Sequence, residues 1–559
     1  MKSSFRFCAS KVSARQKSKM TNRIIFNGYF LSSKQNEQKR SFFLHNELLL
    51  SSFSEIVILE RSEMFRDTGT FGLTLRRKRS GLRRRGSGFR RMRRGLREFH
   101  RGLRSVIGLD GKRGAVVGNR TGPVEEVRLE PGERFDSPEG SIVEYFPNDL
   151  VRTRGDAADV LKGFALWWSR KEQKLDWVDD VLALEGELLK EPTSYVGNLK
   201  SRLHLFSGLG RAFRVLESLE LSPSDTVVIF SEHSSGARIL IAEARKQNAK
   251  LIFSEYGELP GTIFVSECGM FHESWPSRNR EQFNRLPVSE PVKSWANSRL
   301  KELVEKRVST KTYHSAANEG ELLSGLDKYD AVIYVNAVQP FMSGLLPRRS
   351  SFSREYSPFF DSNLDMLSAV ADVALANDWL VLFKNHPNIE KSQPWAAISE
   401  NTWGSHVRLL GDIDIYSVFE AADAMISLGS KSTFLALACG VPVLLAGPYS
   451  ISEESLKYGL VEMKGDDLRL DIIESGINRL LDTRTVDAVD QEGYLDIVSR
   501  LIQYDLYEFE ESELLSRGKE KFAQDVDSYL RGKRISLTDH APSGNAPRMG
   551  EPGRNAAKS

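Results

Sequence analysis

From residue 226 onward the chain keeps returning to one pattern: a short apolar run, a polar turn, and then a stretch with helical spacing. Thr226–Phe230, Lys250–Phe253, Ala331–Val335, Trp379–Phe383, Ala424–Ser427 and Val441–Ala446 are the runs. Each is too short for a helix and nearly continuous in apolar residues, as a strand covered on both faces must be. Helical spacing over Ala237–Gln247, Leu364–Ala376 and Ile415–Ala422 separates them. Strands joined by crossover helices make parallel sheets. The expected fold class is therefore α/β, with two Rossmann-like lobes.

At 559 residues the chain exceeds one core, and roughly three domains are expected from its length. With 40% hydrophobic and 27% charged residues, globular folding is feasible over most of it. Residues 1–20 are basic and Ser-rich and read as a disordered leader. The short runs in Arg23–Leu31 and Glu55–Glu60 suggest a small α/β unit over 21–75. Residues 76–110 form an Arg-rich linker, with fourteen Lys/Arg against Glu98 alone between Arg76 and Arg104. The first lobe is expected over 130–290, a charged helical bridge over 291–325, and the second lobe with its closing helices over 326–530. Pro, Gly, Asn and Ser mark 531–559 as a disordered tail. Within the first lobe, Ala157–Leu189 and Ser207–Leu219 read as helices, with Gly208 and Gly210 at the start of the latter. Trp167, Trp168 and Trp177 are expected to pack in or beside its core.

Cys8, Cys268 and Cys439 are widely separated, which argues against a disulfide framework or a zinc site. No run approaches eighteen apolar residues, and no signal-peptide pattern opens the chain. A cytoplasmic protein is expected, with peripheral contact at the inner face of the membrane. The Arg-rich segment suits a solvated tail or loose attachment to an anionic membrane surface; nucleic acid is the less favoured partner.

The Asp423–Tyr449 stretch carries the first functional signal. Ser430, Ser432 and Thr433 stand between a strand and a helix that Gly440 ends. Hydroxyls and free N–H groups at a helix start can hold an anion, phosphate above all, although such residues more often serve only as caps. Lys384 and His386 end another apolar strand, in Lys-Asn-His-Pro, and could neutralise the same phosphate. Gln339 and Ser357 follow the first strand of that lobe, where a nucleobase or ribose would sit. In the first lobe Glu255, followed by Gly257, could act as general base, with Glu267 a second candidate and Glu232 with His233 a third. Asp412 and Asp414 are expected to cap a helix. No metal site or cofactor is expected, and a nucleotide-sugar would be a co-substrate.

The order of these residues resembles that of capsule polysaccharide biosynthesis proteins, the KpsC/KpsS-like Kdo transferases. The likeness runs through Glu255-Tyr-Gly-Glu-Leu-Pro-Gly, Gln339, Tyr356-Ser-Pro-Phe, Lys384-Asn-His-Pro and Ser430-Lys-Ser-Thr, over Val227–Leu460. The resemblance implies a GT-B-like glycosyltransferase that uses a CMP-linked sugar such as Kdo. Its acceptor would be a capsular or other surface polysaccharide or glycolipid. His386, Ser430, Ser432 and Thr433 would hold the donor phosphate, and Glu255 would be the base. Two departures stand out: Pro340-Phe-Met-Ser-Gly follows Gln339 in place of an acidic run, and Glu258-Leu259 occupies a place usually aromatic or basic. Two other readings remain open, a polyol-phosphate transferase of CDP-glycerol type and a nucleic-acid or membrane-binding scaffold built on the Arg-rich segment.

Overall fold

The structure is a computed structural model. It describes residues 22–28, parts of 42–60, 142–145, parts of 157–181, 195–230, 234–308, 323–336, 356–360, 363–384, 403–465 apart from 412, 469–482, 488–508 and 518–531. The expected leader, the Arg-rich segment and the tail beyond Arg531 lie outside the described residues.

Two sheets organise the chain. The first contains β1 (Arg23–Gly28), β2 (Glu55–Glu60), β3 (Ile142–Tyr145), β4 (Thr226–Phe230), β5 (Lys250–Tyr256), β6 (Thr262–Ser266) and β13 (Leu506–Glu508). Their spatial order is β13-β6-β5-β4-β1-β2-β3. The second contains β7 (Ala331–Asn336), β8 (Trp379–Lys384), β9 (Val407–Leu410), β10 (Ala424–Ser427), β11 (Val443–Leu445) and β12 (Leu460–Glu462), in the order β12-β11-β10-β7-β8-β9. The second sheet is parallel throughout. Read from its own first strand, each sheet has the doubly wound order 3-2-1-4-5-6. The expected pair of Rossmann-like lobes is present. The order reverses between β1 and β4 in one lobe and between β7 and β10 in the other.

The segment read as a separate unit over 21–75 instead supplies central strands of the first sheet. Ile24, Ile25 and Phe26 are fully buried, and β1 pairs in parallel with β2 on one side and β4 on the other. Arg23 fixes that register: its Nε and Nη2 donate to Asp225 Oδ1 and Oδ2 at 2.8 and 2.7 Å, just where β4 begins. Asp225 is fully buried and also accepts from Ser222 N at 2.7 Å.

Helix α2 (Tyr195–Leu219) packs on this sheet through Leu205, Leu209, Ala212 and Leu216, and helix α1 (Ala157–Ser169) packs on α2. The glycines expected to start the second helix lie within it, because the two helices cross almost backbone to backbone. A Cβ on Gly163 would stand 1.9 Å from the Phe206 carbonyl oxygen, and one on Gly210 would stand 1.9 Å from that of Asp159. Such contact needs residues without side chains. The tryptophans divide. Trp177 stacks on Phe213 and Trp167 is half-buried, but Trp168 is 72% exposed and so is not core.

The longer helices among the other described residues are α3 (Ser235–Lys246), α4 (Glu290–Glu305), α5 (Asn363–Ala376), α6 (Ile415–Ala421), α7 (Lys431–Ala438), α8 (Arg469–Asp482), α9 (Gln491–Tyr504) and α10 (Lys519–Leu530). Helix α9 joins the lobes. Its Tyr494 Oη donates to the Phe434 carbonyl of α7 at 2.6 Å, while Arg500 and Tyr504 donate to the carbonyls of Leu286 and Pro287. The chain then re-enters the first sheet as β13, antiparallel to β6. No helix among the described residues is long and apolar enough to cross a membrane.

Two outcomes follow from this packing. Asp225→Ala leaves Arg23 partly buried without its carboxylate and should cost about 3–5 kcal/mol in urea denaturation; a loss under about 1 kcal/mol would mean that β1 is not held in the sheet this way. Gly163→Ala and Gly210→Ala should each cost about 1–3 kcal/mol or more by forcing the helices apart, read as a lowered melting midpoint.

Candidate active site

At the switch point of the second lobe, strand β10 ends in Ser427 and the chain turns through Gly429, whose φ of +81° suits glycine. Ser430 then caps α7, its Oγ accepting from Ser432 N at 3.4 Å. Asn336, the last residue of β7, reaches the same place from the neighbouring strand. Its Nδ2 donates to Ser430 Oγ at 3.0 Å and to Ser432 Oγ at 2.8 Å, and Tyr334 Oη donates to its Oδ1 at 3.0 Å. Ser432 Oγ also donates to Ser430 Oγ at 2.9 Å. Three donors thus converge on one hydroxyl oxygen with two lone pairs, so the Ser430 proton is directed away from the cluster. The positive end of the helix dipole and an outward hydroxyl proton both favour an anion there.

Lys431, the first residue of α7, projects across to the first lobe. Its Nζ lies 3.9 Å from Glu255 Oε1 and 5.5 Å from the centre of the Tyr256 ring. Glu255 Oε1 also accepts from Tyr256 N at 2.8 Å. These residues share a narrow interlobe cleft with Glu258, Met270, Phe271 and Ser274 of the first lobe and with Tyr449 and Ser450 of the second. Burial pushes the Glu258 carboxyl up to about 7 despite the opposing pull of Lys431. Burial, followed by the Glu255 charge, raises the Tyr256 phenol to about 12. The Tyr449 phenol is raised well above its ordinary range by burial, then by Glu258 and Tyr356. The cleft therefore offers two carboxyls in different surroundings and the Lys431 ammonium.

The residues singled out from sequence fare differently. Glu255, Ser430 and Ser432 lie on the two sides of this junction. Thr433 is fully buried, with its hydroxyl 2.7 Å from Ser427 Oγ, so it closes the turn instead of facing outward. Ser357 donates to the Phe360 carbonyl at 2.8 Å and Lys384 donates to the Gly411 carbonyl at 2.9 Å; both are buried within the lobe. Glu267 follows β6, which runs antiparallel to β5, and its charge acts on Tyr529 of α10; it does not line the cleft. Asp414 caps α6, accepting from Tyr416 N at 3.2 Å. Gln339, His386, Glu232, His233 and Asp412 lie outside the described residues. Asn336, Lys431 and Glu258 were not among the candidates. A polar residue ending an apolar strand was the available signal for Asn336.

No family model matches the chain, and no curated protein matches it. Among solved structures it is similar to the KpsC β-Kdo 2,7 transferase of Thermosulfurimonas dismutans, at 14% identity over 51% of this chain and 88% of that one, with a TM-score of 0.30. It is also similar to Staphylococcus aureus MnaA solved with UDP, at 10% identity over 92% and 97% of the two chains and a TM-score of 0.31. A third is WaaG, a glycosyltransferase involved in lipopolysaccharide biosynthesis, at 11% identity over 90% and 98%, again with a TM-score of 0.31. These likenesses do not establish a family; the two-lobed fold rests on the strand orders described above.

Proposed function

We propose that the chain is a glycosyltransferase that moves a sugar from a nucleotide donor to a hydroxyl of a glycan or glycolipid acceptor. The observation that supports this most is the meeting of the anion-favouring start of α7 with the carboxyls of the first lobe through Lys431 and Glu255. Transfer from a sugar nucleotide needs those two things together. The leaving phosphate gains charge as its bond to the sugar breaks, and donors already aimed at it lower that cost. The attacking hydroxyl loses a proton, which a carboxylate within reach can take.

In this reading Ser430, Ser432 and the positive end of the α7 dipole hold the donor phosphate, and Asn336 sets the two hydroxyls. Lys431 leaves Glu255 and moves onto the phosphate as it arrives. Glu255 is the base that the sequence resemblance implies. The donor class we propose is a CMP-linked sugar such as Kdo, with a capsular or other surface polysaccharide as acceptor. This choice rests on the ordered motifs from Glu255 to Thr433 and includes His386 as a further phosphate ligand.

The test is a thermal-shift series of the full chain with CMP, CDP, UDP and GDP. A nucleotide at about a hundred times its Kd should stabilise by about 2.7 kcal/mol. Ser430→Ala/Ser432→Ala and Lys431→Met should each remove most of that shift; the first should also lower ligand-free stability by about 0.5–2 kcal/mol because Ser430 caps α7, whereas the second should leave it within about 0.5 kcal/mol of the parent. CMP giving the only shift supports the proposed donor. CDP or UDP giving it instead moves the donor class, and no shift with any nucleotide overturns the reading.

A further inference from the structure

The two carboxyls of the β5–β6 hairpin stand in different surroundings. Glu255 Oε1 is already shared between Tyr256 N and Lys431 Nζ, at 2.8 and 3.9 Å. Glu258 is only 8% exposed, lines the same cleft, and its Oε2 takes no hydrogen bond from any described residue. Ser450 Oγ, from the facing lobe, lines the cleft and is likewise buried without a partner among the described residues. A buried acceptor left without a donor is costly. The fold nevertheless holds this one in place. Gly257 N donates to the Thr262 carbonyl at 2.8 Å, and Thr262 Oγ1 donates to the Leu259 carbonyl at 2.7 Å, clamping the turn on both sides of Glu258. A side chain on Gly257 would meet Thr262 Oγ1 at 2.0 Å, so the clamp admits no bulk.

The charged and titratable groups around Glu258 are few. Lys431 faces it from α7, Tyr449 from the loop after β11, and Glu255 and Tyr256 share its cleft. Arg299 of α4, behind the turn, is occupied by the Pro260 carbonyl and by Glu302. Burial is the largest influence, and it moves the carboxyl from 4.5 to about 7. A group that changes charge near neutrality can both accept a proton and hold it, whereas a carboxylate fixed to an ammonium serves better as an anchor.

We propose that Glu258 is the catalytic base that takes the proton of the acceptor hydroxyl, and that Glu255 is a positioning residue that holds Lys431 until the donor phosphate claims it. This rests on the glycosyl-transfer reading and reassigns one role within it. The acceptor O–H bond breaks and its electron pair forms the new bond to the anomeric carbon. The bond from that carbon to the phosphate oxygen breaks, its pair passing to the nucleotide. The proton ends on Glu258 Oε2. Ser450 Oγ, across the cleft, supplies a second polar contact for the acceptor sugar, and Met270 and Phe271 give its carbon face an apolar wall.

The experiment measures nucleotide release from CMP-Kdo, CMP-N-acetylneuraminate and UDP-N-acetylglucosamine, with water as acceptor, across the pH range around neutrality. With the active donor, kcat/KM of the parent, which reports the free enzyme, should rise with pH through an apparent pKa near the value of about 7 given above. Glu258→Gln should lose about a hundredfold or more and show no such rise. Glu258→Ala should recover part of its rate with formate, which a merely structural role would not allow. Glu255→Gln should keep the rise and show mainly a higher KM for donor. A Glu258→Gln enzyme within about threefold of the parent, with the pH rise intact, overturns the assignment, as does loss of that rise in Glu255→Gln alone. Release from none of the three donors, with no nucleotide-induced thermal shift, overturns the transfer reading and this role with it; a thermal shift without release removes the role of Glu258 alone.

Stability gives a second readout. A carboxyl raised on folding favours the folded state least when ionised, so its penalty is absent below pH 4.5 and fully present above about 7. Glu258→Gln should therefore gain stability on the parent as pH rises across that window. A flat difference would mean that Glu258 is not the buried acid described, and would overturn the proposal.

Discussion

The cleft depends on the chain's return to its first sheet. After building the second lobe, the chain runs through α9 and enters the first sheet as Leu506–Glu508 beside β6, with Val265 N donating to the Asp505 carbonyl at 3.2 Å. The anchor is then covered by α10. Phe522 packs against Phe42, Phe43 and Tyr507, while Tyr507 Oη donates to the buried Asp525 at 2.8 Å. Each buried aromatic of this kind contributes about 1.5–3 kcal/mol relative to exposure. Lys250 Nζ, donating to the Tyr529 carbonyl at 2.8 Å, ties the end of α10 to the start of β5. Glu255 and Glu258 lie at the other end of that strand. The same element that fastens the second lobe to the first thus fixes the strand whose end faces α7.

Parts of this fold were legible because they are local. Thr226–Phe230 and Ala424–Ser427 are apolar but for Thr226 and Ser427 at their ends, the pattern of a strand covered on both faces. Pairing across long loops leaves no such mark. Nothing near Arg23 in sequence shows that its partner is Asp225, 202 residues away, so β1 and β2 read as a unit of their own. Strand β13 is three residues long and follows a helix, below the length at which alternation can be recognised. Gly208 and Gly210 read as a helix start because glycine weakens a helix by about 1 kcal/mol. Gly210 is tolerated because a second backbone occupies the space of its missing side chain.

The site divides in the same way. The Ser430 cap was visible because capping chemistry is written in adjacent residues. Whether a polar residue at a strand end faces a ligand or the interior was not visible. Lys384 and Ser357 satisfy carbonyls of their own lobe, and Thr433 satisfies Ser427. Asn336 gains its place from parallel pairing of β7 with β10, whose start lies 88 residues further on. Glu258 registered only as a departure from a motif, since its significance comes from burial against another lobe. Side chains whose role is set by contact between lobes are the ones that a one-dimensional pattern hides.

The contact across the cleft that the proposed reaction must break is a long one. Lys431 and Glu255 stand 3.9 Å apart, with side chains 27% and 18% exposed, and such a pair contributes about 0–1 kcal/mol. By contrast, Arg280 donates to the Tyr449 carbonyl and also pairs with Glu462, whose side chain is 7% exposed, fastening the segment after β6 to the second lobe. A donor phosphate at the start of α7 offers Lys431 a more highly charged partner in a place already lined with donors, so the exchange costs little. Had Lys431 been held as firmly as Arg280, the ammonium would be a structural tie and the anion site would lack its mobile charge. Once Lys431 moves, the charge that pulls Glu258 toward ionisation is shared with the phosphate, and its carboxyl is held more strongly in the protonated form. Arrival of the donor and retention of the acceptor's proton then become linked through a single side chain.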